Sequence, residues 1–249
     1  MKRRTFLQQA GVLLAGATAA AADQGEESRQ PNALPANRRP TVLVTSAGSA
    51  WGNRLADVLG ERFPIRPAHG PLFRDKPDRL QRLLDGVSVI VHGMPPGEES
   101  GNAEPIDQRA RGTYDVLTVA AAKGVELVVY LSSLQMMAGY DPRFQVDEDW
   151  RPAPTTDPGQ LSHYLAECVC REFARERKLR AIVLRMGEVA PADAARAVQL
   201  ALEAHFGPRS TGLRPWTVVH IAAATSGGRF PTTRAERILG YRPQPGPST

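Results

Sequence analysis

A run of small residues follows the first β-branched segment of the chain. Thr41 to Thr45 is apolar and β-branched, which is typical of a buried parallel strand. The turn after it contains Gly48 and Gly52, and such turns let backbone N–H groups approach a pyrophosphate at the start of a helix. The residues predicted to bind a cofactor here are Thr45, Ser46, Gly48, Ser49, Ala50, Trp51 and Gly52. The Trp51 side chain could either crowd a dinucleotide or stack on one of its rings.

Three further side chains could take part in proton transfer or hydrogen bonding. Ser133 ends a predicted strand, while His163 and Tyr164 are neighbours in a predicted long helix. Consecutive helical residues point about 100° apart, so the helix would have to shift for the Tyr164 side chain to reach the place that the His163 side chain faces. Simpler interpretations stay open: Ser133 as a partner of the local backbone, His163 as a surface histidine, and Tyr164 as a core or groove tyrosine.

Short apolar segments and longer amphipathic segments alternate from Pro40 onward. The predicted strands are Thr41–Thr45, Pro64–His69, Ser88–His92, Glu126–Leu131, Arg180–Leu184 and Thr217–Ile221. The predicted helices are Asn53–Arg62, Asp78–Leu84, Ile106–Lys123, Gln160–Lys178, Pro191–His205 and Thr233–Leu239. This alternation predicts an α/β fold with a doubly wound parallel sheet. Such sheets bind ligands at the carboxyl ends of their strands, where the strand order reverses.

The first 22 residues have the features of an export signal. Lys2-Arg3-Arg4-Thr5-Phe6-Leu7 is a twin-arginine signature, the stretch Ala10–Ala22 is weakly apolar, and Ala20-Ala21-Ala22 offers a cleavage site. An amphipathic N-terminal helix and an uncleaved tether are the alternatives. We expect a periplasmic or other extracytoplasmic location and no integral membrane span in the mature form. Residues 23–39 are predicted to be a flexible linker, 40–243 the folded domain and 244–249 a tail.

Composition narrows the functional classes. The 249 residues are 42% hydrophobic and 23% charged, a globular balance. Lys2, Arg3 and Arg4 supply three of the five net positive charges, which leaves a field too weak to indicate nucleic-acid binding. Cys168 and Cys170 lie roughly 200° apart on a helix, so we expect two thiols rather than an internal disulfide. No metal site is predicted.

Several segments together resemble the extended short-chain dehydrogenases, also called the NAD-dependent epimerase/dehydratase family. The turn is similar to T-G-x-x-G-x-x-G, with Ser46 and Ser49 in place of the first two glycines and Gly52 as the third. The other matching segments, in chain order, are Leu84–His92, Arg111–Leu117, Val128–Ser133, Ser162–Glu167 and Arg234–Pro243. The resemblance implies a Rossmann-like domain and NAD or NADP as cofactor, and His92 is added to the predicted cofactor-binding residues.

The chain departs from the family pattern where the family's chemistry lies. The tyrosine and lysine of Y-x-x-x-K, which the resemblance implies as proton donor and ribose-binding cation, are replaced by Gly159 and His163. Arg109 replaces the asparagine of N-v-x-G-T. His69 stands where the family has an acidic ribose ligand, and the next carboxylate is Asp75.

The C-terminal substrate lobe is predicted to be truncated. The chain crosses directly from Val189 to Asp193, where the family inserts much of that lobe. We therefore expect an open or shallow substrate site.

Three functions remain open on the sequence alone. The first is a dinucleotide-binding protein with weak or no hydride chemistry. The second is an active oxidoreductase or epimerase on a sugar-like substrate that uses His163 and Tyr164 as relocated acid–base groups. The third is an interaction module that binds no nucleotide. A homodimer is compatible with each of them.

Overall fold

The computed structural model describes residues 39–69, 72, 77–93, 106–223 and 228–243. The predicted signal peptide, nearly all of the predicted linker, Asp75 and the predicted tail lie outside the described residues. The described residues belong to a single unit within residues 34–249. The fold that positions the candidate site is therefore that of this unit.

Six parallel strands form its sheet. They are β1 (Val42–Ala47), β2 (Ile65–His69), β3 (Val89–Gly93), β4 (Leu127–Ser133), β5 (Arg180–Met186) and β6 (Trp216–Ile221). Their order is β2-β1-β3-β4-β5-β6, and each neighbouring pair is parallel. The order reverses between β1 and β3, which is where doubly wound sheets bind ligands. The predicted Rossmann-like sheet is confirmed.

Helices cover both faces of the sheet. They are α1 (Ala50–Gly60), α2 (Pro77–Leu84), α3 (Gly112–Ala122), α4 (Pro158–Arg175), α5 (Pro191–Phe206) and α6 (Thr233–Leu239). Apolar residues of α1, α5 and α6 pack on one face, and those of α2, α3 and α4 pack on the other. Because both faces are buried, the central strands are apolar on consecutive residues rather than alternate ones.

Two helices begin three or more residues from their predicted starts. The predicted helix Ile106–Lys123 is not α-helical throughout, because Asp107–Arg111 forms a π-helical turn in which the Gly112 N–H donates to the Asp107 carbonyl. Such wide turns are rare in proteins, and those that occur are often found at functional sites. Helix α1 begins at Ala50 rather than Asn53, because Ser49 acts as its N-cap. Ala50, Trp51 and Gly52 are therefore in the first turn of a helix.

The connection from β5 to α5 is short. Only residues 187–190 separate Met186 from Pro191, as the direct crossing in the sequence predicts. Within the described part of the chain, no helix is both long and apolar enough to cross a membrane.

Candidate functional site

The turn between β1 and α1 depends on two glycines. Gly48 has φ +112°, a conformation that residues with a side chain rarely adopt. A Cβ on Gly52 would lie 2.0 Å from the Ser46 carbonyl oxygen, so only glycine allows α1 to pack this closely on the end of β1. The helix N-terminus is thereby held at the carboxyl end of β1, where its partial positive charge favours an anion.

Part of the hydrogen-bonding capacity of this turn is already used. The Gly52 N–H donates to the Ser49 Oγ over 2.9 Å, and the Gly48 N–H faces the Asn53 Oδ1 at 3.4 Å. Ser49 thus serves as an N-cap where the resembled family has a bare glycine. The turn keeps the position of a phosphate-binding loop but offers fewer free donors.

The Trp51 side chain points away from the turn. It is 5% exposed and belongs to the core cluster that contains Leu55 of α1 and Val198 of α5. It therefore neither crowds a ligand at the turn nor stacks on one, and only its backbone remains part of the predicted site.

His69 lies beside the turn. It pairs with Ala47 at the end of β2, and its Nδ1 lies 3.3 Å from the position that a Cβ on Gly48 would take. The Arg79 guanidinium donates to the His69 carbonyl oxygen. The structure thus places His69, one of the residues predicted to bind a cofactor, beside the β1–α1 turn.

His92 is held between two threonines at the carboxyl end of β3. Its Nδ1 lies 2.9 Å from the Thr45 Oγ1, and its Nε2 lies 3.0 Å from the Thr113 Oγ1. Because the Thr113 hydroxyl donates to the Arg109 carbonyl over 2.6 Å, it is left to accept a proton from His92 Nε2. The Thr45 hydroxyl then donates to Nδ1. Burial, followed by the charge of Arg109, lowers the pKa of His92 to about 4, so the ring is neutral near pH 7.

Arg109 connects this network to α4. Its Nη1 donates to the Ser162 Oγ over 2.6 Å, and the Ser162 hydroxyl donates to the Gly159 carbonyl over 2.7 Å. Hydrogen bonds therefore lead from β1 and β3 through the π-helical turn to the first turn of α4. Sequence reasoning missed Ser162 as a site residue, although it directly precedes His163 in the segment that resembles the family.

The two dyad positions contain neither a phenol nor an exposed cation. Gly159 lies in the first turn of α4, which begins with Pro158 and is capped by Asp157. His163 is 1% exposed on the inner face of α4, together with Ala166 and Cys170. The interpretation of His163 as a surface histidine was wrong, because position 163 falls on the stripe of α4 that packs on the sheet.

Ser133 is a cap for the local backbone. It is fully buried, and its Oγ accepts a hydrogen bond from the Gln135 N–H over 3.1 Å at the start of the 3₁₀ turn Leu134–Met137. Of the two interpretations of Ser133, the structure has this local one. Because the Oγ acts as an acceptor in this cap, the Ser133 hydroxyl still has its own proton to donate.

Tyr164 lies on the wall of a cleft of about 280 Å³ between α4, β5, β6 and the segment 148–152. Cys168, one helical turn further along α4, raises the pKa of Tyr164 through electrostatic interaction and a hydrogen bond, and burial adds to the effect. A general acid–base works best with a pKa near the working pH, so this shift makes Tyr164 a poorer catalyst. Both cysteines are thiols: Cys168 also lines the cleft, whereas Cys170 is buried in the core.

The described residues contain no group of three or more His, Cys, Asp and Glu side chains that could hold a metal ion. Their candidate chemistry therefore lies in the β1–α1 turn, the His92–Arg109 network and the start of α4.

Comparisons with known proteins agree with this architecture. The family model described as the NAD dependent epimerase/dehydratase family matches residues 72–211. A glucuronic acid dehydrogenase from Chromohalobacter salexigens superposes with a TM-score of 0.68 at 19% identity, over 84% of this chain and 86% of that one. A dTDP-glucose 4,6-dehydratase (DesIV) from Streptomyces venezuelae superposes with a TM-score of 0.64 at 19% identity, over 82% of this chain and 92% of that one. A UDP-galactose 4-epimerase superposes with a TM-score of 0.67 at 16% identity, over 83% of this chain and 94% of that one. A search of the curated proteins finds no significant match.

The protein thus has the parallel sheet of a Rossmann-like domain, with its candidate site at the carboxyl ends of the strands. The family match covers more than half of the chain, and the chain belongs to the NAD-dependent epimerase/dehydratase family. The matched range begins beyond the β1–α1 turn, the part in which two of the resembled glycines are serines.

Proposed function

We propose that this protein is an exported NAD(P)-binding member of its family with weak or no hydride chemistry. The proposal rests on the two residues that stand at the positions of the family's tyrosine and lysine. Gly159 has no side chain to give a proton, and His163 is buried against the sheet. Loss of a positioned general acid typically lowers a rate by about 10²- to 10⁴-fold.

The β1–α1 turn supports the dinucleotide part of the proposal. It lies at the switch point of the sheet and presents a helix N-terminus there. Structurally similar proteins were solved with NAD, among them DesIV with NAD and TYD and MoeE5 with UDP-glucose and NAD. In this chain Gly48 and Gly52 provide the close approach of the backbone, and His69 and His92 flank the turn.

The same turn supports weak binding. Ser46 and Ser49 carry Cβ atoms where the resembled family has glycine, and the Ser49 Oγ already accepts the Gly52 N–H. A pyrophosphate must therefore compete with the N-cap for a donor. We expect a dissociation constant in the micromolar range at best.

A nicotinamide cofactor, when bound, supplies the hydride acceptor or donor. Arg109 is the permanent cation of the hydrogen-bonded network, and it is half-buried beside the start of α4. Neutral His92 fixes Thr45 near the carboxyl end of β1 and Thr113 at the start of α3, and it is not a source of protons near pH 7. These residues can bind and orient a ligand, but they place no general acid at position 159.

An active oxidoreductase or epimerase on a sugar-like substrate is the second candidate, because Tyr164 faces an open cleft. Turnover measurements on sugars and alcohols with NAD and NADP separate the two candidates. The first predicts turnover at the detection limit that is unchanged in Tyr164→Phe. Robust turnover that Tyr164→Phe abolishes would promote the second candidate and overturn the first.

Export is the remaining part of the proposal, and Arg3-Arg4 before a weakly apolar stretch supports it. Twin-arginine transport moves folded proteins, which suits a domain that is loaded with a cofactor before export. Replacing Arg3 and Arg4 by lysine should retain the protein in the cytoplasm, as judged by fractionation. Normal delivery of the double variant across the membrane would refute twin-arginine export.

A further inference from the structure

The cleft between α4 and β6 contains a buried cation whose hydrogen bonds are incomplete. Arg185 of β5 is 4% exposed and donates through Nε and Nη2 to both carboxylate oxygens of Glu167 over 3.0 and 2.9 Å. Its Nη1 is buried and makes no hydrogen bond with any described residue. A buried N–H group without an acceptor is costly, so a ligand that supplied an acceptor oxygen to this atom would be stabilised.

The acidic residues of the cleft make their hydrogen bonds and ion pairs with other partners or with other atoms of Arg185. Glu167 is occupied by Arg185, and Glu148 accepts the His220 N–H over 2.9 Å. Asp149 pairs with the Arg234 Nη2 over 2.7 Å.

A second guanidinium in the cleft has no carboxylate partner. Arg151 makes no ion pair with the described residues, although it is exposed on the wall of the cleft. Tyr164 lines the same cleft. The cleft thus combines the unused donors of Arg151 and Arg185 with paired, neutralised acids.

The other walls of the cleft are largely aromatic. Trp150, Tyr164 and Trp216 line it, and the Cys168 thiol lies among them. Flat apolar walls favour a planar apolar body. A third guanidinium, that of Arg171, pairs with Glu172, and the two with unused donors favour a planar anion that accepts two hydrogen bonds. The volume of about 280 Å³ is just below the usual range of small-molecule sites, so it suits a small ligand.

We infer that the α4–β6 cleft is a binding site for a small organic carboxylate with a flat apolar body. The carboxylate accepts hydrogen bonds from Arg185 Nη1 and Arg151, and the body lies between the aromatic walls. The site shares no residue with the β1–α1 turn and does not rest on the proposed dinucleotide function.

Alkylation of Cys168 provides a direct readout of the site. Iodoacetamide should modify Cys168, which lines the cleft, and leave buried Cys170 unmodified in the folded full-length protein. Benzoate should slow the modification of Cys168 in a saturable way and change the fluorescence of Trp150 and Trp216. Neutral benzyl alcohol should give no protection at the same concentrations.

Arg151→Gln tests the charge. Loss of a charge-assisted hydrogen bond should weaken benzoate protection by at least about tenfold. Arg175→Gln is the matched control, since Arg175 is an exposed arginine of α4 that pairs with Glu172 outside the cleft. Absence of protection by benzoate, equal protection in Arg151→Gln, protection by benzyl alcohol, or preference for inorganic phosphate over benzoate would each overturn the inference.

Discussion

The guanidinium of Arg109 lies 2.6 Å from the hydroxyl of Ser162, and this hydrogen bond joins the π-helical turn to the first turn of α4. It links two segments that are 53 residues apart in the chain. The Ser162 hydroxyl in turn donates to the carbonyl of Gly159. A basic residue of the π-helical turn therefore helps to hold the part of α4 in which the glycine replaces the resembled tyrosine.

Arg109→Gln should lower the free energy of unfolding by about 1–2 kcal/mol, because it removes a charge-assisted hydrogen bond in a partly buried place. Urea unfolding followed by circular dichroism measures the effect. Arg111→Gln, in the same turn but exposed, is the control and should change the stability by less than about 0.5 kcal/mol. Equal effects of the two substitutions would show that the contact with Ser162 contributes nothing.

Gly52→Ala should destabilise the protein by about 3 kcal/mol or more, because the added Cβ would overlap the Ser46 carbonyl oxygen. The control is Gly60→Ala at the end of the same helix, where the nearest atom to an added Cβ is 4.0 Å away. That substitution should stabilise by up to about 1 kcal/mol, since alanine favours the helix. Wild-type stability in Gly52→Ala would mean that α1 does not approach β1 this closely.

Buried histidines should make the stability depend on pH. Burial lowers the pKa of His92 and of His205 to about 4 and that of His220 to about 3, from an ordinary value near 6.5. Between these values the unfolded chain binds more protons than the folded one, so stability rises with pH through this window and levels off above about 6.5. Each histidine contributes about 1.4 kcal/mol per pH unit inside the window.

His92→Asn should therefore reduce the slope of unfolding free energy against pH, measured between pH 5 and 6.5. The reduction should be up to about 1.4 kcal/mol per pH unit, which corresponds to one bound proton. A slope identical to that of the wild type would show that His92 is not held neutral in the folded protein.

The sequence predicted the strands and helices well, because apolar periodicity reports burial directly. Position around a helix and contacts between distant segments were harder to predict. The helix containing Trp51 starts three residues earlier than predicted, because the cap at Ser49 decided its start. Nothing in the spacing of Arg109 and Ser162 indicates that they touch, since their contact depends on the widened π-helical turn.

Other parts of the candidate site could be predicted because they follow from topology. Thr45, His69 and His92 each lie at or near the carboxyl end of a strand, and the strand order brings those ends together at one edge of the sheet. The burial of His163 was missed, because neighbouring His163 and Tyr164 could each have been assigned to the inner face of α4.

Restoring the dyad should increase hydride transfer. In the double variant Gly159→Tyr with His163→Lys, a phenol and a cation lie one helical turn apart. If the rest of the site is intact, the rate on a sugar or alcohol substrate should rise by about 10²-fold or more. Stopped-flow detection of NADH measures the rate, and Tyr164→Phe in the same background is the control that should leave it unchanged. A rate that stays at the wild-type level would mean that the defect extends beyond these two residues.

Calorimetric titration of the folded domain with NAD and with NADP tests the central claim most directly. We predict binding of at least one of them at a single site, with a dissociation constant in the micromolar range or weaker. Ser49→Gly in the β1–α1 turn should strengthen that binding, because it removes the side chain that occupies the Gly52 N–H. Absence of binding heat with both dinucleotides at millimolar concentration would contradict the account and would leave the fold as a scaffold for another function.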